Sequence, residues 1–303
     1  MALRKHFDTS IKLFCFSKRC KSTVNKREPP TPLCLAYRTY QETTSTTIPI
    51  IITHGMMGNK DNWHSLSKLL SKTGRQIITV DARNHGESPH VPQMDYLLMS
   101  QDIVDLMNEL EIDKACLLGH SMGGKMSMVA ALQQPDRVES LIVVDVAPNV
   151  SPRAKTYPGY LQQMLKTQVQ LYQQQDLPLS KARQIANKQL ESVEPDPMVR
   201  QFLTSNLIQV KNRYRWKVNL DSIINHYSEL CSFPEFNDVQ YDGPTLFIGG
   251  SKSNYLTESE EPEVKRLFPK SQIEHIPGAG HWVHSDKPSV FLDVVNKFLN
   301  ECQ

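Results

Sequence analysis

An α/β class, with a mostly parallel sheet flanked by helices on both faces, is predicted by three observations. From residue 33 onward, short apolar runs alternate with segments of helical periodicity. A Gln-rich, helix-patterned stretch at 150–235 breaks this rhythm, but sheet-type segments resume after it, so it reads as an inserted lid. The composition, 39% hydrophobic and 22% charged, is that of a cored globular chain, and no apolar run is long enough to span a membrane.

The elements follow in order. Leu33–Tyr40 is the first predicted strand, and the β-branched run Ile48–Thr53 is the second, ending at His54-Gly55. Asp61–Lys72 carries Trp63, Leu66, Leu69 and Leu70 on one side of a helix. Gln76–Val80 is a strand, and the polar residues 81–93 form a loop. Asp95 caps a helix to about Leu110, with Leu98, Ile103, Leu106 and Leu110 inward. Strands Ala115–Leu118 and Leu141–Val144 bracket a helix after Ser121. Beyond the insertion come Thr245–Ile248, a helix near Glu260–Leu267, Gln272–Ile276 and a closing helix from Pro288 to Leu299.

The net charge of +2 hides an asymmetry. Residues 1–27 hold eight Lys or Arg against one Asp, a charge of +7, which leaves the remainder at −5. A mildly acidic body argues against nucleic acid as a partner. In the tail, Leu3, Phe7, Ile11 and Phe14 fall on one helical face among basic residues, the pattern of a mitochondrial transit peptide. Residues 1–32 are therefore read as transit peptide and linker, and 33–303 as the folded domain. Cys15 and Cys20 lie in that tail, and Cys34, Cys116, Cys231 and Cys302 are widely spaced. No disulfide framework or zinc site is indicated.

The chemistry centres on Gly119-His120-Ser121-Met122-Gly123, which lies between a strand and a helix. Such a turn lifts the serine hydroxyl above the sheet, and its flanking positions are too crowded for anything but glycine. A serine needs a base, and His281 follows the strand Gln272–Ile276 on the loop Pro277-Gly278-Ala279-Gly280. His284 lies close enough to compete, while His54, His85 and His120 read as loop-bonding histidines. An acid must hold the imidazole. The loop after Thr245–Ile248, where one is expected, contains no Asp, and Ser253 stands near that place. Asp145, ending Leu141–Val144, is the leading candidate, and Asp221 in Asn219-Leu220-Asp221 is the alternative. The amide of Met56, or of Met57, in His54-Gly55-Met56-Met57-Gly58 would form an oxyanion hole with that of Met122, worth about 3 kcal/mol per donor. Asp81-Ala82-Arg83-Asn84-His85-Gly86-Glu87-Ser88 reads as a scaffold loop fixed by an Asp–Arg pairing. In the insertion, Leu161, Met164, Leu165, Tyr172, Leu203, Leu207 and Trp216 serve either an acyl tunnel or packing on the sheet, packing being the commoner use. The reaction these residues suggest needs no cofactor or metal.

HGMMG, DARNHGES, GHSMGG, LIVVDVAP and AGHWVHSDKP, in this order over residues 33 to 300, resemble the α/β-hydrolase superfamily. VDARNHGESPH, GHSMGGK and GAGHWVHSDKP carry a closer resemblance to the α/β-hydrolase domain-containing protein 11 group and its bacterial esterase relatives. The resemblance implies the α/β-hydrolase fold and a mitochondrial serine esterase or lipase acting on acylglycerols, including diacylglycerol. It places the nucleophile at Ser121, the base at His281 and the acid at Asp145, or at Asp221 through the NLD match. It also implies association with the 2-oxoglutarate dehydrogenase complex. The contrasting expectation is a non-catalytic or thioesterase-type partner of such a complex.

Overall fold

The structure is a computed structural model that describes residues 32–40, 47–151, 157–173 and 177–302. The basic tail, with its apolar stripe, Cys15 and Cys20, lies outside the described residues.

Strands β1 (Tyr37–Tyr40), β2 (Ile50–Thr53), β3 (Ile77–Val80), β4 (Ala115–His120) and β5 (Val138–Val144) precede the insertion. Strands β6 (Leu207–Val210) and β7 (Arg213–Trp216) lie within it, and β8 (Thr245–Gly250) and β9 (Ser271–Ile276) follow. Seven of them form one sheet in the order β1-β3-β2-β4-β5-β8-β9. Only β1 runs antiparallel to its neighbour. It is also shorter than the predicted Leu33–Tyr40, because its one partner, β3, offers only four residues to pair with.

Helices α1 (His64–Leu70), α2 (Tyr96–Glu109) and α3 (Met122–Gln133) connect the early strands. The insertion contributes α4 (Tyr157–Tyr172), α5 (Leu179–Leu190), α6 (Pro197–Ser205), α7 (Leu220–Asn225) and α8 (Tyr227–Cys231). Helices α9 (Glu261–Leu267), α10 (Val283–Asp286) and α11 (Pro288–Glu301) complete the chain. The Asp95 carboxylate caps α2 by accepting the Leu98 amide at 2.8 Å. No helix among the described residues is long and apolar enough to cross a membrane.

Successive strand residues point to opposite faces, so each strand feeds two cores. Ile50, Ile52, Leu118 and Ile142 pack with Trp63, Phe291 and Phe298 beneath α1 and α11. Ile51, Leu117 and Val143 face α2, α3 and the insertion. Burial on both faces is why these strands are β-branched runs rather than alternating ones.

The insertion departs from the all-helical expectation. It contains the hairpin β6–β7, in register from Leu207↔Trp216 to Val210↔Arg213. The chain reverses through Lys211 and Asn212, at φ 47° and 60°. A two-residue hairpin turn wants this left-handed pair, and it is usually signalled by glycine. Leu161, Met164, Leu207 and Trp216 are buried in the core and serve packing. Tyr172 is instead 55% exposed.

Candidate active site

Ser121 links β4 to α3 at φ 52° and ψ −115°. A non-glycine residue in this region is strained, and the surroundings must hold it there. They do so through glycine. A Cβ at Gly119 would lie 2.2 Å from the Gly123 carbonyl oxygen, and one at Gly123 would lie 2.5 Å from that of Thr53. The Ser121 amide then donates to Val144 at 3.0 Å, which ties the turn to the neighbouring strand.

The structure brings Ser121, His281 and Asp145 into one hydrogen-bonded row. His281 Nδ1 lies 2.7 Å from Asp145 Oδ2, and Nε2 lies 3.2 Å from Ser121 Oγ. Asp145 is fully buried, and a carboxylate only accepts, so Nδ1 carries the ring proton and Nε2 is left to accept from the serine. Asp145 directly follows β5 at φ 50°, a backbone turn that aims its side chain along the sheet edge. It also accepts the Gly250 amide at 2.9 Å and the Ser253 hydroxyl at 2.5 Å. Ser253, which occupies the usual place of the acid, is thus a donor to the carboxylate that arrives from β5. Tyr255 stacks on the His281 ring at 3.9 Å and fixes its plane.

Asp221 is exposed in the first turn of α7 and is not part of this row. Its neighbour Asn219 accounts for the motif. Asn219 caps α7, and its Nδ2 donates to Asn84 Oδ1 at 3.0 Å, fastening the insertion to the 81–93 loop.

The other histidines behave as loop struts. His54 Nδ1–H donates to the Gly55 carbonyl at 2.8 Å, and its Nε2 accepts the Ala82 amide at 3.1 Å. His120 donates to the His281 carbonyl at 2.9 Å, holding the histidine loop from below. His284 is buried and stacks on Trp63 at 4.2 Å. Burial lowers the values of His54 and His120 and holds those of His85 and His284 down to about 3, so all four are neutral near pH 7.

His85 also separates the two methionine amides. The Met57 amide donates to His85 Nε2 at 3.3 Å and is spent. The Met56 and Met122 amides have no such acceptor among the described residues, and both residues line the cavity over Ser121. The scaffold loop differs from the expected Asp–Arg pairing. Asp81 pairs with Lys60 at 2.7 Å, and Arg83 instead forks onto Asp102 of α2 at 2.6 and 2.7 Å. Lys60 and Asp102 lie far from this loop in sequence, so the correct partners were not visible there.

The cavity over Ser121 encloses about 170 Å³. Its walls include Met56, Tyr96 and Val146 from the sheet side and Tyr160, Leu203 and Leu230 from the insertion. Lys125, one turn into α3, was missed as a structural residue. It is 1% exposed, and its Nζ donates to the carbonyls of Asn149, Ser232 and Cys231 at 2.5, 2.9 and 3.2 Å. Burial lowers its value to about 8. The GHSMGGK string held the only signal, the one charged residue of α3.

A strained serine on a strand-to-helix turn, served by a histidine from a late loop, is the arrangement of one large class of enzymes. The chain belongs to the α/β hydrolase fold family, whose match spans residues 48–288. It is 41% identical over 294 residues to the sn-1-specific diacylglycerol lipase ABHD11 of Danio rerio, covering 96% of this chain and 91% of that protein. It is 42% identical over 288 residues to the Mus musculus protein of the same name, covering 94% and 91%. Among solved structures, a marine microorganism esterase superposes with a TM-score of 0.79 at 34% identity, covering 88% of this chain and 99% of that one. By class the chain is a carboxylic ester hydrolase.

Proposed function

We propose that this enzyme hydrolyses lipid carboxylic esters, of diacylglycerol type, through an acyl-enzyme on Ser121. The observation that carries the reading is the unbroken row from Asp145 through His281 to Ser121, opening into a cavity walled in part by Met56, Val146, Leu203 and Leu230.

The steps follow from the geometry. Ser121 Oγ attacks the ester carbonyl while its proton passes to His281 Nε2. Asp145, already saturated by three donors, stabilises the imidazolium without taking the proton. The Met56 and Met122 amides receive the negative charge that develops on the carbonyl oxygen. His281 then returns the proton to the departing alcohol oxygen, leaving the acyl group on Ser121. Water repeats the cycle: His281 takes its proton, the hydroxide attacks the acyl carbon, and Ser121 leaves reprotonated.

Diacylglycerol is favoured by the activity for which the two ABHD11 relatives are named and by the apolar side chains that the insertion, read as a lid, adds to the cavity wall. The test is labelling of the purified chain with a fluorophosphonate, alongside hydrolysis of diacylglycerol carrying distinct sn-1 and sn-2 chains. Labelling and fatty-acid release that vanish in Ser121→Ala, with release from sn-1, are expected. An unlabelled folded wild type sinks the acyl-enzyme, and labelling with turnover only on short soluble esters sinks the lipid substrate.

The composition of the tail supports a mitochondrial matrix location, which fusion of residues 1–32 to a fluorescent protein tests. A fusion that stays in the cytosol overturns it. Association with the 2-oxoglutarate dehydrogenase complex rests on the resemblance alone. No described surface adds to it or to the non-catalytic alternative.

A further inference from the structure

The insertion carries one outward face whose composition differs from the rest of the molecule. On α4, Val169 and Tyr172 are 64% and 55% exposed and lie three residues apart on one helical side. Arg213 of β7 sits over the Tyr172 ring at 5.0 Å. Val210, 40% exposed, is the direct cross-strand partner of Arg213, so Val169, Tyr172, Arg213 and Val210 form a continuous patch. Arg215 shares the outer face of β7 with Arg213, because Tyr214 and Trp216 between and beyond them are buried. Lys211 forms the exposed hairpin tip, and Lys166 lies one turn before Val169.

The charge of this face is one-sided. Residues 157–172 and 207–218 contain no Asp or Glu, although residues 28–303 as a whole carry −5. Among the described residues, Lys166, Lys211, Arg213 and Arg215 take part in no ion pair. A soluble polyanion needs only the cations. The interleaved valines and tyrosine, left in water at a cost, fit a surface that offers both negative headgroups and hydrocarbon.

We propose that this face of the insertion docks the enzyme on an anionic phospholipid bilayer. Arginine and lysine heads meet the phosphates while Val169, Tyr172 and Val210 enter the headgroup boundary. The contact is peripheral and separate from the Ser121 site, so it stands whether or not the proposed lipid ester is the substrate.

The test is co-sedimentation of the full chain with phosphatidylcholine vesicles, with and without phosphatidylglycerol. The +7 tail is common to every variant and cancels in the comparison. Arg213→Glu/Arg215→Glu is expected to weaken binding to anionic vesicles by about tenfold or more, with unchanged melting by circular dichroism. Tyr172→Ala/Val210→Ser is expected to weaken vesicle binding several-fold and to leave heparin binding unchanged. Equal vesicle binding by wild type and the charge-reversed variant overturns the proposal. So does an apolar variant that binds vesicles like wild type while heparin is bound more tightly than either, which would assign the face to a nucleic acid or an acidic protein.

Discussion

The carboxyl end of the sheet and the insertion above it shape the same cavity by opposite means. At the sheet, main-chain hydrogen bonds set the functional groups: Ser121 N to Val144 O at 3.0 Å and Asp145 N to Ile248 O at 2.8 Å. Both residues are held in left-handed backbone, which only a rigid surrounding sustains. Apart from one main-chain bond, Asn219 N to Asn84 O at 2.8 Å, the insertion meets that floor through separate side chains. Lys125 reaches three carbonyls, Asn219 grips Asn84, and Asn206 Nδ2 donates to Met57 O at 2.7 Å. Chemistry is thus built into the backbone, while the cover is fastened mostly at points that single substitutions can undo.

The sharpest way to break this division is at the two aspartates. Asp145→Asn is expected to lower kcat by about 10⁴-fold, since the ring proton would then sit on the wrong nitrogen. Asp221→Asn, on the exposed α7 turn, is expected to change it by less than about twofold. A reversed result, read with p-nitrophenyl esters, moves the acid into the insertion.

A second contrast lies in pH. The floor depends on buried histidines. The unfolded chain protonates these near pH 6.5, whereas folded His85 and His284 resist down to about 3. The unfolded state therefore binds more protons in that window, and stability falls as pH drops below about 6.5. At about pH 5.5 each of the two costs about 1.4 kcal/mol, visible as a lower Tm than at about pH 7. A Tm that is flat over this range contradicts the neutral, buried histidines.

The cover responds at the other end of the scale. The Lys125 ammonium is held at about 8, below the ordinary lysine value of 10.5, so in this window the unfolded chain keeps the proton that the folded one has lost. Its contribution to stability therefore rises from pH about 8 to about 10. Lys125→Met, which strands three carbonyls, is expected to cost about 1–3 kcal/mol at neutral pH. Its deficit relative to wild type should widen over that alkaline range in denaturant titrations. A constant deficit removes the charge from the account.

Legibility followed the same boundary. The sheet was readable because strands buried on both faces must be apolar runs, as in Ile50–Thr53 and Leu141–Val144. The serine turn was readable because crowding at Gly119 and Gly123 admits no side chain. The alternation Arg213-Tyr214-Arg215-Trp216 is a strand signal, but it spans only four residues and the turn before it, Lys211-Asn212, carries no glycine, so the surrounding helical pattern hid the hairpin. Trp216 therefore looked like helical bulk. Partners distant in the chain, such as Lys60 for Asp81 and Ser253 for Asp145, leave no local pattern at all.

The position of Asp145 has a consequence for how the chain can diverge. His120 and Val144 pair in register on β4 and β5, and the residues that follow them are Ser121 and Asp145. The spacing of those two groups is an interstrand spacing, fixed before the insertion begins. Loops and helices between residues 146 and 244 can lengthen, shorten or be exchanged without passing any error into that spacing. Among the three residues of the row, only the imidazole is supplied from beyond the insertion. A lineage or a designer can therefore rebuild the cover wholesale and need re-fit only one ring.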